Sequence, residues 1–444
     1  MLVSLLLAGV SQVMLAVPAA AVPAAALPAV AIPGVAAAAA VPVASVDLVG
    51  HGYGHGVGLS QWGAYGYAVD FDWTAGQIID HYYGGTVDGT SDVDAVVSVR
   101  LQGLDNLQTA VVSNDKSLTI NGTPVAARSA VARETPPGAG TYTVWIRPDD
   151  AVCPTADALD GGWTVFVAGV PKATFGTTNP VDTTDRSVLL GACQDGGSVR
   201  SYRGSIVAVR GSVGELRTVN YVPVEQYLRA VVAKEMSPSW ALAGNGRGLQ
   251  ALEAQVIAGR SYALAEHRYT YAMTCDTLCQ TYQGAGAEHP WSDPAVSLTA
   301  GQVRRDADGK FVVAMYSASS GGYTTPTSLG FTPVPDDGDA TAANPNHNWS
   351  VTLSASAIQT AYRTIGSFTG LTITQRNGLG DFGGRVLAMV VSGSTGSVTV
   401  TGDQFRIALG LKSNWFTLAG PPPAPVQQID ITAVAYRPAV RVSR

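Results

Sequence analysis

Five glycines occupy every second position from Gly50 to Gly58, within the stretch GHGYGHGVGLSQWGAYGYA at residues 50–68. Alternate side chains of a strand point to opposite faces, so this pattern predicts an extended ribbon with glycine hydrogens on one face and His-Tyr-His-Val on the other. The ribbon is either a loop kept flexible by glycine or a surface that another backbone or a sugar ring can approach closely. The spacing fits neither a G-x-G-x-x-G dinucleotide loop nor a Walker loop.

The first 46 residues are rich in Ala, Val and Pro, and the first charged residue is Asp47. The opening MLVSLLLAGVSQVMLAV is too short and interrupted for a stable membrane span, and no Lys or Arg precedes Arg100. Small residues such as Ala20 and Ala21 offer cleavage sites. We therefore expect an atypical export signal, or a true start further upstream, and a secreted or cell-wall-associated bacterial protein.

The net charge of −6 and the lack of a Lys/Arg cluster argue against a nucleic-acid partner. The chain has four cysteines: Cys153, Cys193, Cys275 and Cys279. Two local disulfides are the simplest pairing in an oxidising compartment, and two other connectivities remain open. A zinc site would need the second pair joined by His267 or His289, but C-x-x-x-C is not the usual zinc-knuckle spacing.

Short alternating runs rich in Val, Thr and Ile fill residues 92–215 and predict antiparallel strands. Two helices follow. VPVEQYLRAVVAKEM at 222–236 has a helical apolar stripe with Pro223 in its first turn, and GLQALEAQVIAGRSYALAEHR at 248–268 has a narrow small-residue seam. A further helix is compatible with 354–365. The sequence therefore predicts an α+β fold: one β-rich body with two packed helices.

Glu235 is the most informative residue of the first predicted helix, because its position falls on the apolar stripe. Burial raises the pKa of a carboxyl group, which suits a general acid working near neutral pH. The other acid of this helix, Glu225, is expected to reach solvent. Two alternatives remain for Glu235: a buried carboxylate paired with Arg229 or Arg260, or a helix end turned outward at Ser237-Pro238.

Several motifs resemble the SpoIID/LytB family, which includes stage II sporulation protein D and the amidase enhancer LytB. VPVEQYLRAVVAKEMSPSW resembles the family's Glu-Met-Pro block, LEAQVIAGRSYAL its second helix, AMYSASSGGYT (314–324) its Ser-rich double-glycine turn, and LGLKSNWFTL (409–418) the block that closes its core. GYGHGVGLSQWGA is similar to a family motif that commonly follows the last block. Here it comes first, so the order looks circularly permuted, which is feasible where termini lie close together.

This resemblance covers about 47–110 and 200–418. The organisation it implies is an export signal and low-complexity segment at 1–46, a SpoIID-like domain at 47–418, and a Pro-rich linker and tail at 419–444. Within the domain we expect a permuted segment at 47–90, an unmatched β-rich insert at 111–199 and a catalytic block at 200–335. The permutation predicts that residues 50–86 pack against the 400–418 block.

The resemblance implies activity on peptidoglycan glycan strands, in particular strands without stem peptides. SpoIID-type proteins are lytic transglycosylases, and the family's acid carries over to Glu235. One glutamate can protonate the glycosidic oxygen and then deprotonate the sugar's own C6 hydroxyl, giving a 1,6-anhydro product. A hydrolase usually needs two carboxyl groups, and Glu253 and Glu266 have no evident role. The alternatives are a non-catalytic glycan-binding module that assists a cell-wall amidase, and a secreted scaffold.

The expected groove around Glu235 draws on every motif block. The substrate-binding candidates are Gln255, Arg260, Tyr262, Ser319, Ser320, His55, Gln61 and Trp62. Gln255 and Tyr262 are two turns apart on one helix face, so both can point toward Glu235. We expect His55 to hydrogen-bond or pack rather than to shuttle protons, and nearby aromatics such as Trp240 suit sugar stacking.

One departure from the family concerns metal binding. Some members bind zinc through a Cys-Asp-Thr-Thr-His-Cys-Gln block, but this chain has CDTLCQTY, without the histidine. The histidine that commonly precedes the Ser-rich turn is also replaced, by Ser317. The resemblance therefore favours a Cys275–Cys279 disulfide, and no zinc or other cofactor is expected.

Overall fold

Residues 42–154, 159, 161–267 and 274–420 are described by a computed structural model. Most of the predicted export segment, the end of the second predicted helix at residue 268, and the tail beyond residue 420 lie outside these ranges. The described chain contains many strands and several helices, which confirms the predicted α+β class. Within these ranges, no helix is long and apolar enough to cross a membrane.

Several helices in the described ranges begin at a residue whose side chain caps them. They are α1 (Gln61–Val69), α2 (Ala75–Tyr82), α3 (Val224–Glu235), α4 (Leu249–Ala265), α5 (Asp293–Leu298), α6 (Ala355–Ala361) and α7 (Gly402–Leu409). The Ser60 side chain accepts from the backbone of Gly63 at the start of α1, and Thr74 forms a capping box with Gln77 at the start of α2. The two helices predicted from periodicity are α3 and α4, and α6 lies in the region compatible with a third.

The strands are short and mostly antiparallel. The first half contains β1 (Ser45–His51), β2 (Leu59–Ser60), β3 (Val87–Thr90), β4 (Val96–Arg100), β5 (Thr109–Val112), β6 (Leu118–Ile120), β7 (Thr123–Pro124), β8 (Ser129–Glu134), β9 (Tyr142–Arg147), β10 (Thr164–Val170), β11 (Ala173–Thr177), β12 (Leu190–Cys193), β13 (Val199–Tyr202), β14 (Ser205–Arg210) and β15 (Leu216–Pro223). The second half contains β16 (Thr274–Cys275), β17 (Gln302–Arg305), β18 (Tyr316–Ser317), β19 (Asn348–Ser354), β20 (Phe368–Arg376), β21 (Val386–Gly393), β22 (Gly396–Val400) and β23 (Phe416–Leu418).

The predicted insert at 111–199 contributes strands to two sheets. One is a six-stranded sheet of order β10-β9-β8-β5-β12-β13; the other is a seven-stranded sheet of order β16-β4-β15-β14-β11-β6-β7. In the second sheet, β6, β7 and β11 of the insert extend the strands that lead directly into α3. Insert residues such as Phe175 share one buried core with Leu228 of α3 and Val256 of α4. The insert is therefore part of the body that carries Glu235.

The two ends of the described chain meet in a three-stranded sheet of order β19-β1-β23. Gly50 pairs with Phe416 on one side and with Trp349 on the other. A second buried core, which includes Leu48, Phe405 and Phe416, lies beneath this sheet. The predicted contact between the 50–86 segment and the 400–418 block is thus present, although the permutation itself stays a prediction.

The extended geometry predicted for 50–58 is wrong beyond His51, where β1 ends. Gly52, Gly54, Gly56 and Gly58 all have positive φ, between +66° and +105°. A strand requires negative φ at every residue. The alternating glycines instead allow repeated left-handed kinks, which side-chain alternation alone could not distinguish from a strand.

The close approach predicted for the same glycine ribbon (residues 50–58) is observed. A Cβ on Gly52 would lie 2.8 Å from the carbonyl oxygen of Ser319, and one on Gly54 would lie 2.8 Å from the Cβ of Ser317. Real Cβ atoms do not come this near other heavy atoms. The backbone of the 315–321 segment therefore occupies the space that side chains would fill, and the glycines are needed for this packing.

Gly58→Ala should test this packing. Gly58 has a φ of +66°, and an added Cβ would clash with the Met315 carbonyl and lie 2.9 Å from the Tyr83 ring. We expect a loss of at least ~2 kcal/mol of unfolding free energy, measured by urea denaturation. Gly76→Ala, in helix α2 with its nearest neighbour 4.0 Å from the added atom, is the control and should change stability by less than about 1 kcal/mol. Equal effects of the two substitutions would contradict the account.

Candidate active site

Glu235 is the last residue of α3 and is partly exposed. Its Oε1 accepts a hydrogen bond of 2.6 Å from the backbone N–H of Thr281. Among the described residues no ion pair joins Glu235 to Arg229 or Arg260, the partners considered for a structural role. One carboxylate oxygen is thus fixed by the backbone at a partly exposed position.

Glu225 does not reach solvent freely, contrary to expectation. Its two oxygens accept hydrogen bonds of 2.8 and 2.7 Å from the Arg260 guanidinium, and the side chain of Arg260 is fully buried. The backbone N–H of Gly301 also donates to Glu225, at 3.1 Å. The packing of α3 against α4 turns this acid inward. The predicted substrate contact of Arg260 stays a prediction, and its guanidinium is already bonded to Glu225.

A buried glutamine connects two tyrosines beside Glu235. Tyr227 donates its hydroxyl to Oε1 of Gln280 at 3.0 Å, and Nε2 of Gln280 donates to the Tyr316 hydroxyl oxygen at 3.0 Å. The same Nε2 donates to the carbonyl of Gly259 at 3.3 Å. Burial first, and then interactions that include the negative charge of Glu235, raise the pKa of Tyr227 and of Tyr316 well above the usual value. Both phenols therefore stay protonated at neutral pH.

Tyr262 lies on the α4 side of the same group. Its ring centroid is 6.4 Å from that of Tyr316, and its hydroxyl donates to Oε1 of Glu266 at 2.8 Å. The hydroxyl of Thr274 donates to the other oxygen of Glu266 at 3.1 Å. Glu266 is 8% exposed, so this carboxylate is buried and bonded within the protein, whereas Glu235 is partly exposed.

Three aromatic side chains form a platform at the turn that follows α3. Trp240 follows Glu235 by five residues, and its ring centroid lies 4.5 Å from that of Trp62 and 4.8 Å from that of Tyr65. All three are partly exposed. The backbone N–H of Trp62 donates to the carbonyl of Ala318, which ties the platform to the 315–321 segment. Exposed aromatic faces of this kind suit stacking against sugar rings.

Ser319 and Ser320, predicted to bind substrate, are buried in a serine–aspartate cluster. The hydroxyl of Ser319 donates to Asp339 at 2.8 Å, and that of Ser320 donates to Asp336 at 2.5 Å. The hydroxyl of Ser60, the cap of α1, also donates to Asp339, at 2.9 Å. Burial and the adjacent charge of Asp339 raise the pKa of Asp336 to about 7. This cluster holds the start of α1, and hence Trp62, in place.

Gln61 and Gln255 are in contact, since Nε2 of Gln61 lies 3.4 Å from Oε1 of Gln255. Both side chains are buried, with 8% and 1% exposure. His55 accepts from the N–H of Val57 through its Nδ1 at 3.0 Å. Of the eight predicted substrate-binding residues, Tyr262, Trp62 and His55 are partly exposed, and His55 lies beside Tyr316.

His55 should remain neutral throughout the physiological range. Burial, followed by the charges of Arg385 and Arg406, lowers its pKa to about 4, against about 6.5 in an unfolded chain. Because the unfolded state then binds the proton more readily, stability that is fully present above pH 6.5 is lost as the pH falls toward 4. An NMR titration of the imidazole should give a midpoint near 4. A midpoint near 6.5 would contradict the packing role and favour a proton shuttle.

Both predicted disulfides are present, Cys153–Cys193 and Cys275–Cys279. The second lies immediately before Gln280 and Thr281, so it fixes the loop that contacts Glu235. Its thiols are bonded to each other and cannot serve as the thiolate ligands that a zinc site in this block requires. Within the described ranges, no three His, Cys, Asp or Glu side chains are grouped to hold a metal ion.

Comparison with known proteins identifies the segment around Glu235. The family described as SpoIID, Stage II sporulation protein, matches residues 212–305. This segment belongs to the SpoIID family. The SpoIID segment contains Glu235, Tyr262, Glu266 and Gln280, whereas Tyr316 lies beyond its end. The structure thus brings residues from inside and outside the matched range into one site.

A curated relative supports the same assignment over a limited length. It is described as an amidase enhancer from Bacillus subtilis (strain 168), and it is 35% identical over 100 residues. The match covers 22% of this chain and 12% of the relative. No solved structure shows a significant match. The SpoIID segment and this relative together support a role related to the cell wall.

Four residues of the site escaped prediction: Tyr227, Glu266, Gln280 and Tyr316. Tyr316 lies in the Ser-rich turn motif and Gln280 in the CDTLCQTY block, so both were close to recognised signals. The roles of Tyr227, Gln280 and Tyr316 depend on contacts between distant segments, since the two glutamine–tyrosine hydrogen bonds join residues 53 and 36 positions apart. No periodicity in the sequence reports such contacts.

Proposed function

We propose that this protein is an exported cell-wall enzyme that cleaves peptidoglycan glycan strands by lytic transglycosylation, with Glu235 as its single acid and base. The observation that carries the proposal is the placement of Glu235. Its carboxylate ends α3 within the SpoIID segment, is partly exposed, and is fixed through one oxygen by Thr281. The other oxygen is left for proton transfer with a substrate.

The chemistry needs no water as a reactant. Glu235 donates its proton to the glycosidic oxygen, and the bond from that oxygen to C1 of N-acetylmuramic acid breaks. The C6 hydroxyl of the same sugar then attacks C1, and its proton returns to the Glu235 carboxylate. The products are one shortened strand and one strand with a 1,6-anhydro end. The buried carboxylate of Glu266 is bonded to Tyr262 and Thr274 and has no step in this sequence.

The aromatic platform of Trp62, Tyr65 and Trp240 provides the binding surface for the adjoining sugars. It lies next to the C-terminal end of α3 because Trp240 belongs to the turn that follows Glu235. Two disulfides are typical of proteins that work in an oxidising compartment, which supports export. The preferred substrate is a strand without stem peptides, and the protein would then act after an amidase.

A second candidate function is a non-catalytic glycan-binding module that assists a cell-wall amidase. The relative described as an amidase enhancer favours it, and the aromatic platform suits sugar binding with or without cleavage. In this case Glu235 would have a structural role.

Digestion of purified peptidoglycan distinguishes the candidates. Sacculi with and without prior amidase treatment are incubated with the protein, and soluble fragments are identified by mass spectrometry. We expect fragments with anhydro ends, lighter by one water than hydrolysis products, and more of them from amidase-treated strands. Hydrolysis products would contradict transglycosylation. Glycan binding that speeds an added amidase, without fragments, would support the second candidate.

A further inference from the structure

The hydrogen-bond directions around Gln280 determine which tyrosine hydroxyl has a proton to offer. The carbonyl of Gly259 can only accept, so the nitrogen of the Gln280 amide must face it. The same nitrogen lies 3.0 Å from the Tyr316 hydroxyl oxygen. That oxygen is therefore an acceptor in this bond, and the Tyr316 proton is not used by Gln280.

The other two tyrosines differ from Tyr316. Tyr227 gives its proton to Oε1 of Gln280, and Tyr262 gives its proton to the carboxylate of Glu266. Tyr227 is fully buried, whereas Tyr316 is partly exposed. Among the described residues, no acceptor is found for the Tyr316 proton. This tyrosine thus offers the site a hydrogen-bond donor, while Tyr262 uses its proton within the protein.

The position of Tyr316 relates it to both halves of the site. β18, which begins with Tyr316, pairs in parallel with β2, which leads through Ser60 into Trp62 of the platform. On its other side Tyr316 accepts a hydrogen bond from Gln280, and the next residue, Thr281, holds Glu235 through its backbone N–H. Its hydroxyl therefore lies between the proposed acid and the strand that carries the platform.

We propose that Tyr316 is a specificity-determining residue that donates a hydrogen bond to the acetamido carbonyl of an N-acetylated sugar bound beside Glu235. This inference rests on the proposed glycan function. A carboxylate on the ligand is disfavoured as the acceptor, because the negative charge of Glu235 would repel it. A sugar hydroxyl does not require a fixed donor, because it can rotate to donate or to accept. The acetamido carbonyl accepts only, so it matches a fixed donor.

The test uses two tetrasaccharides that differ at this group. Chitotetraose carries acetamido groups at C2, and cellotetraose carries hydroxyls. Binding is measured by calorimetry in a Glu235→Gln background, so that bound sugar stays intact. We expect chitotetraose to bind at least about tenfold more tightly than cellotetraose. Tyr316→Phe should remove most of this difference, because it should lower the affinity for chitotetraose and leave the affinity for cellotetraose unchanged. That pattern follows when a buried acceptor loses its donor.

Tyr282→Phe is the matched control, since it removes the hydroxyl of a buried tyrosine that donates to Asn220, outside the Gln280 network. It should leave the preference between the two sugars unchanged. The inference would be overturned if Tyr316→Phe weakened the binding of both sugars equally, or weakened neither. It would also be overturned if the protein with Tyr316 intact did not bind chitotetraose more tightly than cellotetraose. A retained preference in a protein that cuts no peptidoglycan would support the role of Tyr316 and count against transglycosylation only.

Discussion

Glu235→Gln is expected to reduce the release of anhydro fragments by roughly 10²- to 10⁴-fold, the contribution typical of a positioned acid–base group. The glutamine keeps the shape of the side chain and can still accept the hydrogen bond from Thr281. It cannot deliver a proton to the glycosidic oxygen. The measurement is the rate at which anhydro ends appear in amidase-treated peptidoglycan, quantified by mass spectrometry.

Glu253→Gln is the control for this substitution. Glu253 lies in α4, is 8% exposed, and has a pKa raised by burial. Glutamine mimics its protonated form, so fragment release should remain at the parent rate. If the Glu235→Gln variant released fragments at the parent rate, Glu235 would not be the acid of the reaction. Equal losses of fragment release in both variants would point to a general effect on folding.

Glu225→Gln is expected to lower the free energy of unfolding by about 3–5 kcal/mol, because it leaves the fully buried guanidinium of Arg260 without its anion. The substituted side chain can still hydrogen-bond, so the loss reports the missing charge more than a missing contact. Urea denaturation followed by tryptophan fluorescence measures it.

Asp72→Asn provides the comparison at an exposed ion pair. Asp72 and Arg247 are 3.6 Å apart with side chains that are 73% and 46% exposed. Solvent screens such a pair, and its loss should change stability by less than about 0.5 kcal/mol. If Glu225→Gln costs no more than Asp72→Asn, the Glu225–Arg260 pair does not hold α3 against α4.

Much of the architecture was predictable because its signals are local. The apolar stripe of 222–236 and the small-residue seam of 248–268 correspond to α3 and α4. The disulfides followed the simplest pairing of cysteines. The contact between the first and last motifs followed from their order in a known family.

The remaining features depend on tertiary contacts that local patterns do not report. Alternating glycines fit both an extended strand and a series of left-handed kinks, and only the backbone of 315–321 decides between them. Glu225 was expected in solvent because nothing in its helix shows that Arg260 comes from the neighbouring helix. The roles of Ser319 and Ser320 likewise depend on aspartates that lie 16 to 20 residues further along the chain.

The pairing of β1 with β23 sets an order of events for the newly made chain. β1 begins at Ser45, yet one of its neighbours ends at Leu418 and the other lies at Asn348–Ser354. Contacts of such large sequence separation form late and slow folding. The glycine ribbon that leaves β1 packs against the segment holding Tyr316. A chain synthesised from its N-terminus therefore cannot complete the packing around Tyr316 until residues 416–418 have been made and have paired with β1.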